Sequence, residues 1–191
     1  MTRKKIGLLG GNFNPIHNAH LMLAREAARS LQLDKVLLMP ENLPPHQDKK
    51  TTIAPEHRIQ MIKLAIAPFP ELDLELCEIE RGGKSYTYDT MRDLTAKNPD
   101  TDYFFIVGSD MVDYLPKWYK IDELVKLVQF VAFRRNKAVK STNYPVKWLD
   151  TPILKISSTQ IRENIARGIE PVQLLPEPVL DYIEKNQLYR S

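Results

Sequence analysis

The fold is decided by the stretch GLLGGNFNPIHNAHLMLAREA, residues 7–27. Its apolar start belongs to a run from Lys5 to Gly11 that is typical of a buried strand, and its end has helical spacing from His20 to Gln32. Two adjacent glycines and two histidines lie between these segments. The stretch therefore predicts a strand, a tight turn and a helix, the opening of a βαβ unit.

Short apolar runs and amphipathic stretches alternate through the rest of the chain. The predicted strands are Val36–Met39, Leu72–Ile79, Tyr103–Gly108, Val128–Phe133 and Leu154–Ile156. The predicted helices are Glu56–Ala67, Thr87–Lys97, Ile121–Lys126, Ser158–Arg167 and Pro178–Asn186. This alternation predicts an α/β fold: a single Rossmann-like, doubly wound parallel sheet with helices on both faces and a C-terminal helical extension.

The length of 191 residues favours a single domain spanning residues 1–191, with its helical part from about 157 to 191. Residues 41–55 are proline-rich and predict a long, functional loop. The polar and basic segment from Asn136 to Tyr144 is the best candidate for a mobile loop.

Composition limits the partners that the protein can have. The formal net charge of +3 is too small to indicate a nucleic-acid surface and suits small anionic ligands. The single cysteine, Cys77, excludes an internal disulfide and is interpreted as a strand residue. No apolar run approaches the ~20 residues that span a bilayer. We therefore expect a cytoplasmic protein with no nucleic-acid or membrane partner, and its oligomeric state stays open.

The two histidines of the opening stretch, His17 and His20, lie beyond the carboxyl end of the first strand, where parallel sheets bind ligands. Gly10 and Gly11 would let phosphates approach the backbone, and the following helix N-terminus favours anions. Imidazoles three residues apart point to one side and can donate to phosphate oxygens, more strongly when protonated. The alternative is a glycine turn with two histidines that cap and pack. A zinc site is disfavoured because no third ligand is evident.

A second strand end lies in FFIVGSDMVDYLPKWY, residues 104–119. Asp110 in its exit turn could accept from a ribose hydroxyl, and Trp118 and Tyr119 could stack on an aromatic ring. The alternative is a helix cap with two aromatic residues at the edge of the core.

A third strand-to-helix turn lies in ISSTQIRENIARG, residues 156–168. Ser157 with Gln160 fits a capping box, which accounts for the serines by stability alone. Arg162 lies one turn into a helix whose N-terminus already favours anions. Together these residues predict a second phosphate cradle.

Several stretches resemble known enzymes. GGNFNPIHNAH, residues 10–20, resembles the G-G-T-F-D-P-x-H-x-G-H signature of nucleotidyltransferases related to class I aminoacyl-tRNA synthetases, and ISSTQIR resembles their second signature, I-S-S/A-T-x-I-R. Three further stretches resemble the bacterial nicotinate mononucleotide adenylyltransferases: NLPPHQ (42–47), KSYTYDT (84–90) and LLPEPVLDYIEKNQLY (174–189). The similarity runs from Ile6 to Tyr189.

The resemblance implies transfer of AMP from ATP to nicotinate mononucleotide in NAD biosynthesis, with Mg²⁺ carried by the ATP phosphates and no metal-binding side chains. His17 and His20 would be catalytic, binding the phosphates and stabilising the transition state. The implied ATP-binding residues are Gly10, Gly11, Asn12, Phe13, Gly108, Ser109, Asp110, Arg135, Ser157, Ser158 and Arg162. The residues implied to receive the pyridine nucleotide are Tyr86, Thr87, Trp118 and Tyr119. Two alternatives stay open: a pantetheine-phosphate adenylyltransferase and a non-catalytic nucleotide-binding regulator.

The chain departs from the family signature at three positions of the first motif: Asn12 replaces Thr, Asn14 replaces Asp and Ala19 replaces Gly. A fourth departure is Gln47, which stands where a basic residue often follows the PPH motif. Lys49 and Lys50 are the candidate substitutes for a phosphate contact there.

Overall fold

The computed structural model describes residues 2–45, 52–134, 142–152 and 154–190. Its strands are β1 Lys4–Gly11, β2 Lys35–Pro40, β3 Leu72–Leu74, β4 Thr101–Val107, β5 Gln129–Arg134 and β6 Val146–Asp150. Its helices are α1 Asn18–Leu31, α2 Pro55–Ile66, α3 Cys77–Arg81, α4 Thr87–Lys97, α5 Ser109–Val112, α6 Ile121–Leu127, α7 Ser158–Ala166 and α8 Glu177–Lys185. A 3₁₀ turn, Leu115–Lys117, joins α5 to α6.

The strands form one parallel sheet in the order β3-β2-β1-β4-β5-β6. From β1 the chain builds outward through β2 to β3, then returns to the centre at β4 and builds the other way to β6. The order therefore reverses between β1 and β4, and a crevice opens there beyond the strand ends. The predicted doubly wound parallel sheet is confirmed.

The central strands bury both faces, as side-chain alternation requires. Leu9, Ile106 and Val131 belong to one core, which α1, α2, α7 and α8 cover. Leu8, Phe105 and Phe130 belong to the opposite core, which α4 and α6 cover. The predicted apolar stripe of α1 is buried, namely Leu21, Ala24, Ala28 and Leu31. Among the described residues, no helix has the length and apolar character needed to cross a bilayer.

Close packing explains why β1 carries a glycine within its apolar run. A Cβ at Gly7 would lie 2.8 Å from Leu33 Cδ1 and 2.9 Å from Val36 Cγ2. The glycine therefore allows the turn between α1 and β2 to pack directly on the central strand.

The predicted strand over Leu72–Ile79 is wrong beyond Leu74. The strand ends there, and α3 begins at Cys77, which is therefore a helical residue rather than a strand residue. The Glu75 carboxylate accepts the Cys77 N–H at 2.9 Å at the start of this helix. Alternation over so few residues fits a short strand and a single helical turn equally well, so periodicity could not separate them.

The predicted strand at Leu154–Ile156 is also wrong. Leu154 and the residues just after it form no strand, and the sixth strand is Val146–Asp150, paired with β5. Because β6 is half-exposed and contains charged residues, it lacks the apolar run that marks a buried strand. Residues 136–141 of the predicted mobile loop lie outside the described residues.

Candidate active site

The crevice between β1 and β4 is bounded by the loop that joins β1 to α1, residues 12–17, here called the β1–α1 loop. On the other side of the crevice, β4 ends at Val107 and Gly108 leads into α5. A Cβ built on Gly108 would meet no atom within 4 Å, so this backbone faces open space. The first two turns predicted to bind a ligand thus meet at one edge of the sheet.

Hydrogen bonds turn two successive carbonyls at the start of this loop toward the protein. The Gly11 carbonyl accepts a hydrogen bond from the Glu41 N–H at 2.9 Å, and the Asn12 carbonyl accepts one from Nη1 of Arg58 at 2.9 Å. Across a planar trans peptide the C=O and N–H point in opposite directions. The N–H groups of Asn12 and Phe13 therefore point away from these partners, and that of Asn12 points from β2 toward the end of β4. Backbone donors arranged this way suit an anion.

The third predicted turn docks on the same loop. Arg162 Nη1 donates to the Asn14 carbonyl at 2.8 Å, and the Ser158 hydroxyl donates to the Pro15 carbonyl at 2.8 Å. Ser157 caps α7 by accepting the Gln160 N–H at 3.1 Å, which is the serine half of the predicted capping box. The start of α7 is therefore brought to the predicted phosphate region, where these contacts hold the loop.

The two signature histidines lie together, as their spacing predicted. Their ring centroids are 3.7 Å apart and the planes are nearly parallel at 19°. The His17 backbone N–H donates to Nδ1 of His20 at 3.2 Å. Because Nδ1 is the acceptor, the neutral His20 ring carries its proton on Nε2. His20 therefore has a hydrogen-bond donor of fixed direction.

Both imidazoles are neutral at pH 7. Burial lowers the pKa of His17 to about 4. Burial, and secondarily the neighbouring His17, hold the pKa of His20 well below its usual 6.5. The expectation that protonated rings strengthen the phosphate contacts therefore does not describe the protein without a nucleotide, in which each ring offers one neutral N–H.

We expect His17 to destabilise the protein as the pH falls from about 6.5 to about 4. In that window the unfolded histidine binds a proton and the folded one does not, so the free energy of unfolding decreases with falling pH. A group with this behaviour contributes about 1.4 kcal/mol per pH unit within the window. Denaturant unfolding of the wild type and of His17→Gln at pH 7, 6, 5 and 4.5 measures the effect, and the wild type should lose more stability.

Glu41 acts in the opposite direction, because burial and the nearby Glu78 raise its pKa to about 7. Its folded form binds protons more readily than its unfolded form between pH 4.5 and 7, so its contribution decreases as the pH rises. Both proteins retain Glu41, so the difference between their curves reports His17 together with its effect on the pKa of His20. Parallel curves would contradict the assignment.

The residues expected to receive the pyridine nucleotide lie around the start of α4. Tyr86 is the N-cap residue of this helix and Thr87 its first residue. The Tyr86 ring lies 5.0 Å from the ring of Tyr119, which is half-exposed. Ser85 accepts the Asn42 N–H at 3.0 Å, so the stretches NLPPHQ and KSYTYDT meet in space.

Trp118 is more embedded than the expected stacking role suggests. Its ring packs edge-on against Phe105 at 6.0 Å and Phe130 at 5.8 Å, both in the core of that sheet face. Part of this side chain therefore contributes to stability, and only its remaining surface is available to a ligand.

The other predicted residues occupy the β4 side or lie outside the described residues. Ser109 is buried at the start of α5, and its hydroxyl has no hydrogen-bond partner among the described residues. Asp110 is exposed in the same turn. Arg135, Gln47, Lys49 and Lys50 lie outside the described residues. Among the described residues, those that contact the loop but were not predicted include Thr52, Arg58 and Tyr189.

The fold and the motifs define a class of enzyme. The family model described as Cytidylyltransferase-like matches residues 8–164, a range that includes both histidines and the Arg162 turn. The chain is a nucleotidyltransferase of this cytidylyltransferase-like family.

Its relatives define a narrower family. The chain is 63% identical over 190 residues to a probable nicotinate-nucleotide adenylyltransferase of Lactococcus lactis, covering 100% of this chain and 97% of the relative. It is 59% identical over 187 residues to a protein of the same description from Streptococcus pneumoniae, covering 98% and 90%. The chain belongs to the nicotinate-nucleotide adenylyltransferase family.

Solved structures share the fold. A Plasmodium falciparum nicotinic acid mononucleotide adenylyltransferase complexed with NaAD superposes with a TM-score of 0.80 over 97% of both chains, at 21% identity. A putative nicotinate-nucleotide adenylyltransferase from Vibrio parahaemolyticus superposes with a TM-score of 0.73 over 98% of this chain and 96% of that one, at 20% identity.

Proposed function

We propose that the protein transfers AMP from ATP to nicotinate mononucleotide, giving deamido-NAD and pyrophosphate. The observation that carries this proposal is the stacked histidine pair beside a loop whose Gly11 carbonyl is bound on the β2 side, which turns the Asn12 N–H toward β4. The high identity to relatives described as nicotinate-nucleotide adenylyltransferases supports the choice of substrate. The reaction belongs to NAD biosynthesis, and we place the protein in the cytoplasm.

The chemistry requires positioning and charge stabilisation rather than a side-chain nucleophile. A phosphate oxygen of the mononucleotide attacks the α-phosphorus of ATP in line, and the bond to the leaving pyrophosphate breaks. His17 and His20 donate N–H groups to phosphate oxygens as negative charge shifts onto them. Their neutral state avoids the cost of holding two adjacent imidazolium ions in a buried site.

We assign the ATP-binding residues to the crevice as follows. The backbone of Gly10, Gly11, Asn12 and Phe13 lies against the phosphates, and the turn of Gly108, Ser109 and Asp110 holds the adenosine. Ser157, Ser158 and Arg162 add donors from the start of α7, and Arg135 completes the set. Tyr86, Thr87, Trp118 and Tyr119 receive the pyridine nucleotide. We assign all of these roles to a single domain spanning residues 1–191.

Mg²⁺ would enter with the triphosphate. Nowhere in the described parts of the chain do three His, Cys, Asp or Glu side chains meet in a metal-binding group. A Mg²⁺ ion that is held mainly by phosphate oxygens and water needs no such group of side chains. When bound, the ion offsets charge on the phosphates.

Purified protein supplied with ATP, Mg²⁺ and nicotinate mononucleotide should release pyrophosphate at a rate that depends on the mononucleotide. The same assay with phosphopantetheine tests the principal alternative enzyme, and preferential turnover of that substrate would overturn the proposal. Tight ATP binding without turnover of either substrate would instead indicate a nucleotide-binding regulator.

A further inference from the structure

The side chain of Tyr189 lies beneath the β1–α1 loop although it is distant from that loop in sequence. Its hydroxyl donates to Oδ1 of Asn14 at 2.7 Å, and the two residues are 175 positions apart. Asn14 is 2% exposed, so this bond is made inside the protein. One side chain of the loop is thereby fixed by a residue that follows α8.

Two arginines also bind the β1–α1 loop close to this contact, Arg58 and Arg162. Arg58 is 1% exposed and donates to the Asn12 carbonyl, while Arg162 donates to the Asn14 carbonyl. Both positive charges lie near the Tyr189 phenol, and the Tyr189 side chain is partly buried. The two guanidinium groups thus bind the backbone of the β1–α1 loop at Asn12 and at Asn14.

The backbone after α8 adopts an uncommon conformation at two residues, one of which is Tyr189. Gln187 and Tyr189 have φ angles of 51° and 62°, a left-handed conformation that residues other than glycine rarely adopt. Leu188, between them, is buried in the core, and its N–H donates to the Ile183 carbonyl at 3.0 Å. Conformations of this kind persist where surrounding contacts enforce them, and they concentrate at functional positions.

We propose that Tyr189 is a positioning residue for the adenylyl transfer, acting through Asn14 on the direction of the His17 and His20 imidazoles. This inference rests on the proposed function. Only Pro15 and Ile16 separate Asn14 from His17, and Ile16 is fully buried. A shift at Asn14 is therefore carried to His17, and through the His17 N–H bond to the His20 ring. Small displacements of catalytic groups lower rates strongly.

Tyr182 provides a matched control within the same region. Its hydroxyl lies 2.8 Å from Nδ1 of His57 and ties α8 to α2. Tyr182→Phe and Tyr189→Phe each remove one hydroxyl that joins the α8 region to another element. Only the Tyr189 hydroxyl reaches the β1–α1 loop, so a purely structural role predicts similar behaviour of the two variants.

Steady-state kinetics with ATP and nicotinate mononucleotide test the effect on the reaction. Tyr189→Phe should lower kcat by about tenfold while the KM for ATP changes little, because the groups that contact the reacting phosphates are displaced rather than removed. Tyr182→Phe should retain kcat, and thermal unfolding should show comparable stability losses in both variants. In an active enzyme, equal kcat values for the two variants would overturn the proposal.

Histidine side-chain nitrogen NMR tests the same inference without any substrate. Tyr189→Phe should shift the His17 and His20 signals and leave that of His57 in place, and Tyr182→Phe should do the reverse. Unchanged His17 and His20 signals in Tyr189→Phe would overturn the proposal whatever the activity. Because this readout needs no turnover, it also separates failure of this inference from failure of the proposed reaction.

Discussion

Replacing His20 with alanine is expected to lower kcat by about 10²–10³ while ATP binding changes much less, because one preorganised donor to the transition state is lost. The donor in question is Nε2–H, whose direction is set by the His17 N–H bond to Nδ1. Steady-state kinetics give kcat, and calorimetric titration with ATP gives the affinity.

His57→Ala is the control for this prediction. His57 is also partly buried and hydrogen-bonded through its ring, but its partner is Tyr182, outside the β1–α1 loop. It should keep kcat within a few-fold of the wild type. A His20→Ala protein that folds normally and keeps near-wild-type kcat would refute the catalytic assignment of His20.

Nicotinate mononucleotide should be preferred over the amide form, with a kcat/KM ratio of roughly tens to hundreds. Two of the residues assigned to the pyridine nucleotide, Tyr86 and Thr87, lie at the start of α4, where the first N–H groups of a helix lack partners within the helix. A carboxylate accepts two such donors, whereas an amide turns its own NH₂ toward one of them. An unpaired buried polar group costs about 1–3 kcal/mol. Kinetics with both substrates give the ratio.

Trp118→Ala separates recognition of the ring from recognition of its substituent. Because the ring is common to both substrates, the variant should weaken both and leave the ratio largely intact. Its packing against Phe105 and Phe130 adds a loss of stability, to which the ratio is insensitive. Equal efficiency with the amide in the wild type would refute the pocket assignment, and a collapsed ratio in the variant would show that Trp118 reads the substituent.

The sheet and the position of the first two turns at one edge of it could be predicted because both follow from local pattern and general topology, whereas the third turn follows no strand and reaches the loop through the Ser158 and Arg162 contacts. Parallel strands place their carboxyl ends at one edge, so Gly11 and Gly108 had to approach each other. The start of Thr87–Lys97 was predicted to the residue. Two elements were missed because their sequences carry no extended hydrophobic pattern. The half-exposed strand β6 lacks a continuous apolar run, and helix α3 spans only five residues.

The supports of the site could not be predicted because they depend on tertiary contacts. In the stretch EHRIQMIK, Arg58 looks like a solvated residue of a surface helix, yet it is among the most buried side chains. Its contacts within the fold explain this burial: it donates to the Asn12 carbonyl and lies near the Glu41 carboxylate. The low pKa of His17 likewise arises from burial, which no spacing of residues reveals.

The contact between Asn14 and Tyr189 has a consequence for how the enzyme is made. The family model matches residues 8–164, but the last contact with the histidine loop, from Tyr189 to Asn14, cannot form until Tyr189 has been synthesised. At about 5–20 residues per second, the 175 positions between them take roughly 9–35 seconds to synthesise. All six strands are thus synthesised before the Tyr189 hydroxyl can bind Asn14, and this contact is among the last that the folding chain can make.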